Sequence, residues 1–256
     1  MDTNLLLGVL AVTAIVLATS VPIAFAFVGI SILFLVGVQG IGSLSSVTSI
    51  FYNSIKSFEV LVLPLFILFG SVIAASPSSS DIYEAFHRWL SRIPGGLVVA
   101  NIFSCGMFAA LCGSSPAVVA AVGKVGVPEM RRRGVGARLA TGAVTAGGTL
   151  GILIPPSVPL IIYGIVTEQS IGRLFLAGVV PGILLMLIFA AYVIITEFFR
   201  KDRVVLVEHY TLRQKVEPVP RVLPFIAMIL CILYALYGGV ATPSEIAAVA
   251  ALAACL

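Results

Sequence analysis

Two short stretches carry residue types that could bind a small charged solute. The first is Gly113-Ser114-Ser115-Pro116, and the second runs from Gly147-Gly148-Thr149 to Ser157. The second contains GILIPPSVP, where three prolines and a glycine within nine residues (151–159) exclude a continuous, unstrained helix. A broken helix frees backbone carbonyls, and carbonyl and hydroxyl oxygens are the ligands that suit a hard cation. A helix that restarts after a break also directs N–H groups into the gap, which suits a carboxylate. Ser115-Pro116 reads as such a start, a capping serine followed by a first-turn proline. One gap could therefore hold a cation on carbonyls and hydroxyls and an organic anion at Ser115, Pro156 and Ser157. The structural alternative is glycine for close helix packing and proline for a kink. Two breaks between 113 and 157 favour the binding reading over that alternative.

Other candidates carry less. Glu245 lies in an apolar setting, but Thr242-Pro243-Ser244-Glu245 fits a capping box, with Thr242 as cap and Glu245 three positions on. The histidines, His87 and His209, lie outside the apolar runs, and G-x-S-x-G does not occur, so an intramembrane serine hydrolase lacks its base and its nucleophile motif. The glycines of GAVTAGGTLG have no βαβ context for a dinucleotide. Cys105, Cys112, Cys231 and Cys255 lack metal-ligand spacing and read as packing residues. No enzyme activity and no cofactor are expected.

The elements that must position the two breaks are membrane helices. The chain has 256 residues, 60% of them hydrophobic and 10% charged, against about 25% charged in soluble domains. No charge occurs between Asp2 and Lys56, or within 60–80, 93–123, 139–167, 174–196 or 222–244. Each run is long enough for a span of about 20 residues. Spans are expected at 4–18, 21–38, 60–76, 172–199 and 222–238, with another starting at 242 and a mixed, interfacial segment at 44–57. The segment 81–93 spaces Ile82, Phe86, Leu90 and Ile93 helically and adds Tyr83 and Trp89, as a helix lying on the membrane surface would. His87 reads there as an interfacial residue. The net charge of +4 sits in short loops and reads as membrane topology, without a nucleic-acid partner.

Residues 94–130 hold two apolar arms about the Gly113 break. The second arm, 117–128, reaches only about 18 Å, short of the roughly 30 Å hydrocarbon core. One tilted helix or a re-entrant hairpin could result. Arg88 and Arg92 precede the run and Lys124, Arg131, Arg132, Arg133 and Arg138 follow it, which favours a hairpin with both bases on the cytoplasmic side. A broken span at 137–168 then runs outward, and 172–199 returns to deliver Arg200, Lys201 and Arg203 inside. The amino terminus is thus expected outside. The unit 1–199 has an odd number of crossings, so a second copy would be inverted. After a cytoplasmic loop at 200–221, residues 222–256 read as the truncated start of that copy, since VLATSVPIAFAFVGI (16–30) and LYGGVATPSEIAAVA (236–250) share a proline-centred break. The fold class expected is all-α: the first half of an inverted-repeat transporter with a re-entrant helical hairpin and a broken helix.

Three blocks then point to a family. GSSPAVVAAVGKVGVPEMRRRG (113–134), ATGAVTAGGTLGILIPPSVPLIIYGIVTEQSIGRLFLAGVVPGILL (140–185) and GGVATPSEIAAVAAL (238–252) resemble the large membrane subunit of TRAP transporters, the DctM-like family. The resemblance covers nearly the whole chain. It implies a sodium-coupled importer of organic acids such as C4-dicarboxylates in the bacterial inner membrane. Its implied partners are a small four-helix membrane subunit, a periplasmic substrate-binding protein, the organic anion and membrane lipid. The family's first sodium site falls at the hairpin tip and broken span, here Gly113, Ser114, Ser115, Gly147, Gly148, Thr149 and Pro155. Na+ would be the coupling ion. Ser71 and Val135 stand where the family often has an acidic and an aromatic residue, and the family's second hairpin and second broken span are not in the sequence. Two other readings are a sodium/carboxylate symporter that works without a binding protein and a non-transporting membrane fragment. Residues 1–256 alone are expected not to transport, because sites of inverted-repeat transporters lie at the repeat interface.

Overall fold

The computed structural model describes residues 3–19, 21–56, 58–199 and 210–255. The basic cluster Arg200, Lys201 and Arg203, and also His209, lie outside the described residues. All regular structure among the described residues is helical.

The chain forms two compact units, 1–57 and 58–256. In the first, α1 (Thr3–Ala18) and α2 (Ile23–Gln39) pack on each other, and α3 (Leu44–Lys56) follows. Pro22 directly precedes α2, where its missing N–H costs nothing. Ala26 and Ile30 are the buried residues of α2, while Phe25, Phe27 and Leu33 are exposed, an apolar surface that suits lipid.

The second unit is built around one helix. Helix α4 (Val62–Ala75) meets α5 (Ser78–Leu90) at a 65° bend around Ser76-Pro77. Helix α6 (Gly96–Cys112) is buried at every position except Phe103 and Met107. A helix apolar all round belongs in an interior, and α6 packs against α4, α5, α7, α8 and α11. Its polar residues are accommodated locally: the Ser104 hydroxyl donates to Ala100 O at 2.7 Å, and the Asn101 amide lies 3.8 Å from Cys105 Sγ. After Gly113 the chain reverses into α7 (Ser115–Arg132). A Cβ on Gly126 would lie 2.2 Å from Asn101 Oδ1. Residues 101 and 126 are nearly equidistant from the tip, so α6 and α7 run antiparallel as a helical hairpin.

The broken span is α8 (Ala137–Gly148), a single turn α9 (Leu150–Leu153), an unwound stretch 154–157, and α10 (Val158–Thr167). Then come α11 (Ile171–Phe199), the short α12 (Leu212–Val216), α13 (Val219–Tyr237) and α14 (Pro243–Cys255), which packs along α4. Ala137–Thr167, Ile171–Phe199 and Leu212–Tyr237 are each long and apolar enough to cross a membrane.

Four expectations change. The second hairpin arm is not a 12-residue helix but spans 18 residues, about 27 Å. The helix runs from Ser115 past Pro128 to Arg132, so the apolar run understates it, and its length no longer argues for re-entry. The cap of that arm is Ser114 rather than Ser115, with Pro116 second in the helix. Helix α5 turns Ile82, Tyr83 and Ala85 onto protein, not lipid, by packing on α6 and α7, and His87 is buried with them. Of the four cysteines, Cys105 and Cys112 are buried, whereas Cys231 and Cys255 are exposed. The capping box is formed: the Thr242 N–H donates to Glu245 Oε2 at 2.7 Å, and the Glu245 N–H points back at Thr242 Oγ1 at 3.4 Å.

Candidate functional site

The two irregular stretches, 40 residues apart in sequence, meet in space. Val158 N–H, at the restart of the broken span, donates to Gly113 O at the hairpin tip, 3.0 Å away. Gly113 sits at φ +60°, a left-handed conformation that a Cβ would strain, and that Cβ would lie 2.3 Å from Pro156 O. Glycine is thus required twice over at the tip. From below, a Cβ on Gly151 would come within 3.1 Å of Ser114 and Ser115 backbone atoms. From the side, one on Gly70 of α4 would lie 2.8 Å from Cys112 O, and the Cys112 thiol donates to Gly70 O at 3.3 Å. Gly148 is packed against Val119 of α7, where its Cβ would be 2.2 Å from Val119 Cγ2. Four backbones therefore converge where side chains are smallest.

The predicted residues divide into two groups. Gly113, Ser114, Ser115, Gly148, Pro156 and Ser157 lie at or beside this junction, with Pro155 buried in the unwound stretch. Gly147 and Thr149 are placed otherwise. Gly147 faces Cys105 of α6, where a Cβ would lie 2.7 Å from the Cys105 side chain. Thr149 is exposed, and its hydroxyl donates to Ala146 O at 2.7 Å. Gly70, Cys112 and Gly151 were not anticipated. Gly151 opens the proline-rich motif and could have been read as a close-approach position, while nothing local marks Gly70 as facing the tip.

The junction carries no ionised side chain among the residues named. Its polar groups are carbonyls, amides and three serine hydroxyls. Ser157 Oγ donates to Ile152 O at 2.5 Å and so closes the unwound stretch on itself. Ser115 Oγ is buried, yet has no hydrogen-bond partner among the described residues. An orphaned buried hydroxyl costs about 1–3 kcal/mol, and such exceptions call for an explanation such as an ion. Both α7 and α10 start here; of their first-turn N–H groups, which lack intrahelical acceptors, the Val158 N–H is taken by Gly113 O, and Pro116 and Pro159 have none. Oxygen ligands without charge, beside two positive helix ends, can hold a small hard cation and a carboxylate together.

Comparison with known proteins decides the family. The family model described as "Tripartite ATP-independent periplasmic transporter, DctM component" matches residues 10–256. The chain belongs to the DctM family. Among the relatives of this DctM chain, the C4-dicarboxylate TRAP transporter large permease protein of Pseudomonas aeruginosa is 37% identical over 78% of the chain and 46% of its own length. The isethionate TRAP transporter permease of Oleidesulfovibrio alaskensis is 35% identical over 93% of the chain and 37% of its own length. The ectoine TRAP transporter large permease of Halomonas elongata is 30% identical over 85% of the chain and 50% of its own length. The DctM chain thus spans about half the length of the curated relatives it matches. Family and apolar helices together make it a multi-pass membrane protein.

Proposed function

We propose that this chain forms the first inverted repeat, 1–199, and the opening of the second, 222–256, in the large permease subunit of a tripartite, sodium-coupled importer of organic acids. The importer lies in the bacterial inner membrane. A periplasmic binding protein delivers the anion, and a small membrane subunit completes the complex. The observation that carries this reading is the buried Ser115 hydroxyl at the hairpin tip, without a hydrogen-bond partner among the described residues, on a residue whose backbone packs against Gly151 of the broken span. Na+ bound there would supply the missing partner and couple the hairpin tip to the unwound stretch. Ser114, Ser115 and backbone carbonyls of the tip and of 154–157 would hold it, and Ser157 with the start of α10 would face the carboxylate. The names of the relatives range over C4-dicarboxylate, isethionate and ectoine, so a small carboxylate or sulfonate is the substrate class. The hairpin is placed with its base, including Arg92 and Arg132, on the cytoplasmic side.

The test uses the complete transporter reconstituted in liposomes. Ser115→Ala leaves expression normal and raises the Na+ concentration for half-maximal uptake by roughly five- to thirty-fold, the equivalent of losing about 1–2 kcal/mol of ligation. An unchanged sodium dependence in both Ser114→Ala and Ser115→Ala removes these hydroxyls from the site.

A further inference from the structure

Helix α3 belongs to the smaller unit, and none of its residues is buried by the described residues. Its side chains are nevertheless sorted. Leu44, Val47, Phe51 and Ile55 recur at steps of three and four and form one apolar stripe, flanked by Ile50. Ser45, Ser49, Asn53 and Lys56 take the opposite side. Leu44, Ile50, Phe51 and Ile55 are exposed. The helix has 13 residues, about 20 Å, too short to cross the roughly 30 Å hydrocarbon core. A stripe of this kind needs a surface that is apolar on one side and aqueous on the other.

Three further features say which surface that is. Helix α2 ends at Gln39, and Gly40 follows at φ +79°, a left-handed conformation suited to glycine. A 310 turn, 41–43, in which the Ser43 hydroxyl donates to Gly40 O at 2.7 Å, leads directly into α3. Since α2 presents Phe25, Phe27 and Leu33 outward, α3 begins where a lipid-facing helix leaves the hydrocarbon. On the polar side the hydroxyls donate within the helix and its lead-in turn: Ser45 Oγ to Gly42 O at 2.9 Å, and Ser49 Oγ to Ser45 O at 3.1 Å. They require no partner protein, only water. At the end of the helix the Lys56 ammonium lies over the Tyr52 ring, 5.7 Å from its centroid. A tyrosine beside a long cationic chain suits the headgroup level, where the ammonium reaches lipid phosphate.

We propose that α3 docks on the headgroup layer of the bilayer. The stripe of Leu44, Val47, Phe51 and Ile55 lies among the upper acyl carbons, Ser45, Ser49 and Asn53 face water, and Lys56 sits on a lipid phosphate. The occupant of this face is lipid, not a partner subunit or a second copy of the chain. The surface is separate from the tip junction and does not depend on the sodium reading.

The experiment uses the full chain in nanodiscs of phosphatidylcholine and phosphatidylglycerol, with or without bromine on the acyl chains. Tryptophan is introduced singly as Phe51→Trp, Ile55→Trp, Ser49→Trp and Asn53→Trp, and the emission of Trp89, the single tryptophan of the sequence, is subtracted. All four positions are exposed, so the variants keep the fold, as checked by size-exclusion elution. Phe51→Trp and Ile55→Trp emit at shorter wavelength and lose severalfold more emission to brominated lipid than Ser49→Trp and Asn53→Trp, which aqueous acrylamide quenches instead. Adding Lys56→Glu to Ile55→Trp weakens its quenching by brominated lipid. Emission at 51 and 55 that neither quencher reaches means that protein covers the stripe, and overturns the proposal. Equal quenching on the two sides of the helix overturns it as well, and quenching that Lys56→Glu leaves unchanged overturns the phosphate contact.

Discussion

The two ends of the α6–α7 hairpin are held by opposite physics. At the tip, Gly113, Gly151 and Gly70 let four backbones approach with no side chain between them, and one backbone hydrogen bond joins tip to break. At the base, long charged side chains span the gaps: Arg88 reaches Glu84, Glu217 and the Gln214 carbonyl, and Arg221 approaches Asp81 at 3.8 Å. Close backbone packing is intolerant of any added atom but insensitive to pH and salt. Exposed ion pairs tolerate substitution and are weakened by both. The tip is thus built for one geometry, and the base is built to be adjusted.

The contrast can be broken most severely at Gly113. Gly113→Ala places a Cβ 2.3 Å from Pro156 O and forces a left-handed alanine. Overpacking of this kind costs about 1–3 kcal/mol, and the left-handed strain adds about 1 kcal/mol. The melting temperature drops sharply and uptake is abolished, whereas Gly136→Ala, where a Cβ would meet open space, changes neither. Equal melting of the two variants would remove the distinction between tip and surface.

Next in size is the pair of serines at the junction. Ser157→Ala loses the 2.5 Å bond to Ile152 O and destabilises by about 1 kcal/mol, read as a lower denaturation midpoint. Ser115→Ala loses no internal bond, so its stability without Na+ is unchanged while sodium dependence shifts. Stability losses of similar size in both would mean that Ser115 is simply structural.

How far these features were legible differs between the two ends. The breaks at 113 and 154–157 were readable because glycine and proline act through local backbone geometry, and Thr242 with Glu245 formed the expected capping box for the same reason. The meeting of tip and break was not readable, since nothing in Gly113 names Pro156 as its neighbour. The length of α7 was misjudged because Glu129, Arg131 and Arg132 prolong the helix beyond its apolar run. An amphipathic pattern in α5 states that one face is covered. It does not state whether lipid or, as here, α6 and α7 cover it.

Topology offers a sharper check. Single cysteines at Arg92 and Arg132, in a cysteine-free background, label from the same side of the membrane. Labelling from opposite sides would be incompatible with the antiparallel pairing of Asn101 and Gly126.

The smallest expected effect is at the base. The Arg88 hydrogen bond holds the Glu217 carboxyl below its usual range. A depressed folded value means that the contact contributes above the ordinary glutamate pKa of about 4.3 and is lost as pH falls through that value and below. Trp89, whose indole donates to Lys215 O at 3.0 Å, reports it. Its emission changes on acidification, and Glu217→Gln reduces the change. High concentrations of a sodium-free salt have the same direction of effect at the base and none at the tip.

The Asn101–Gly126 contact also has a mechanical meaning. From Gly126 to the tip is about 20 Å of helix. The hairpin is therefore a lever, with α5 and its ion pairs gripping the short end. A tilt of about 10° at that grip would carry the tip roughly 3 Å, as far as the whole Val158–Gly113 hydrogen bond is long. A modest rearrangement of surface charges is geared up into the difference between a closed and a parted junction.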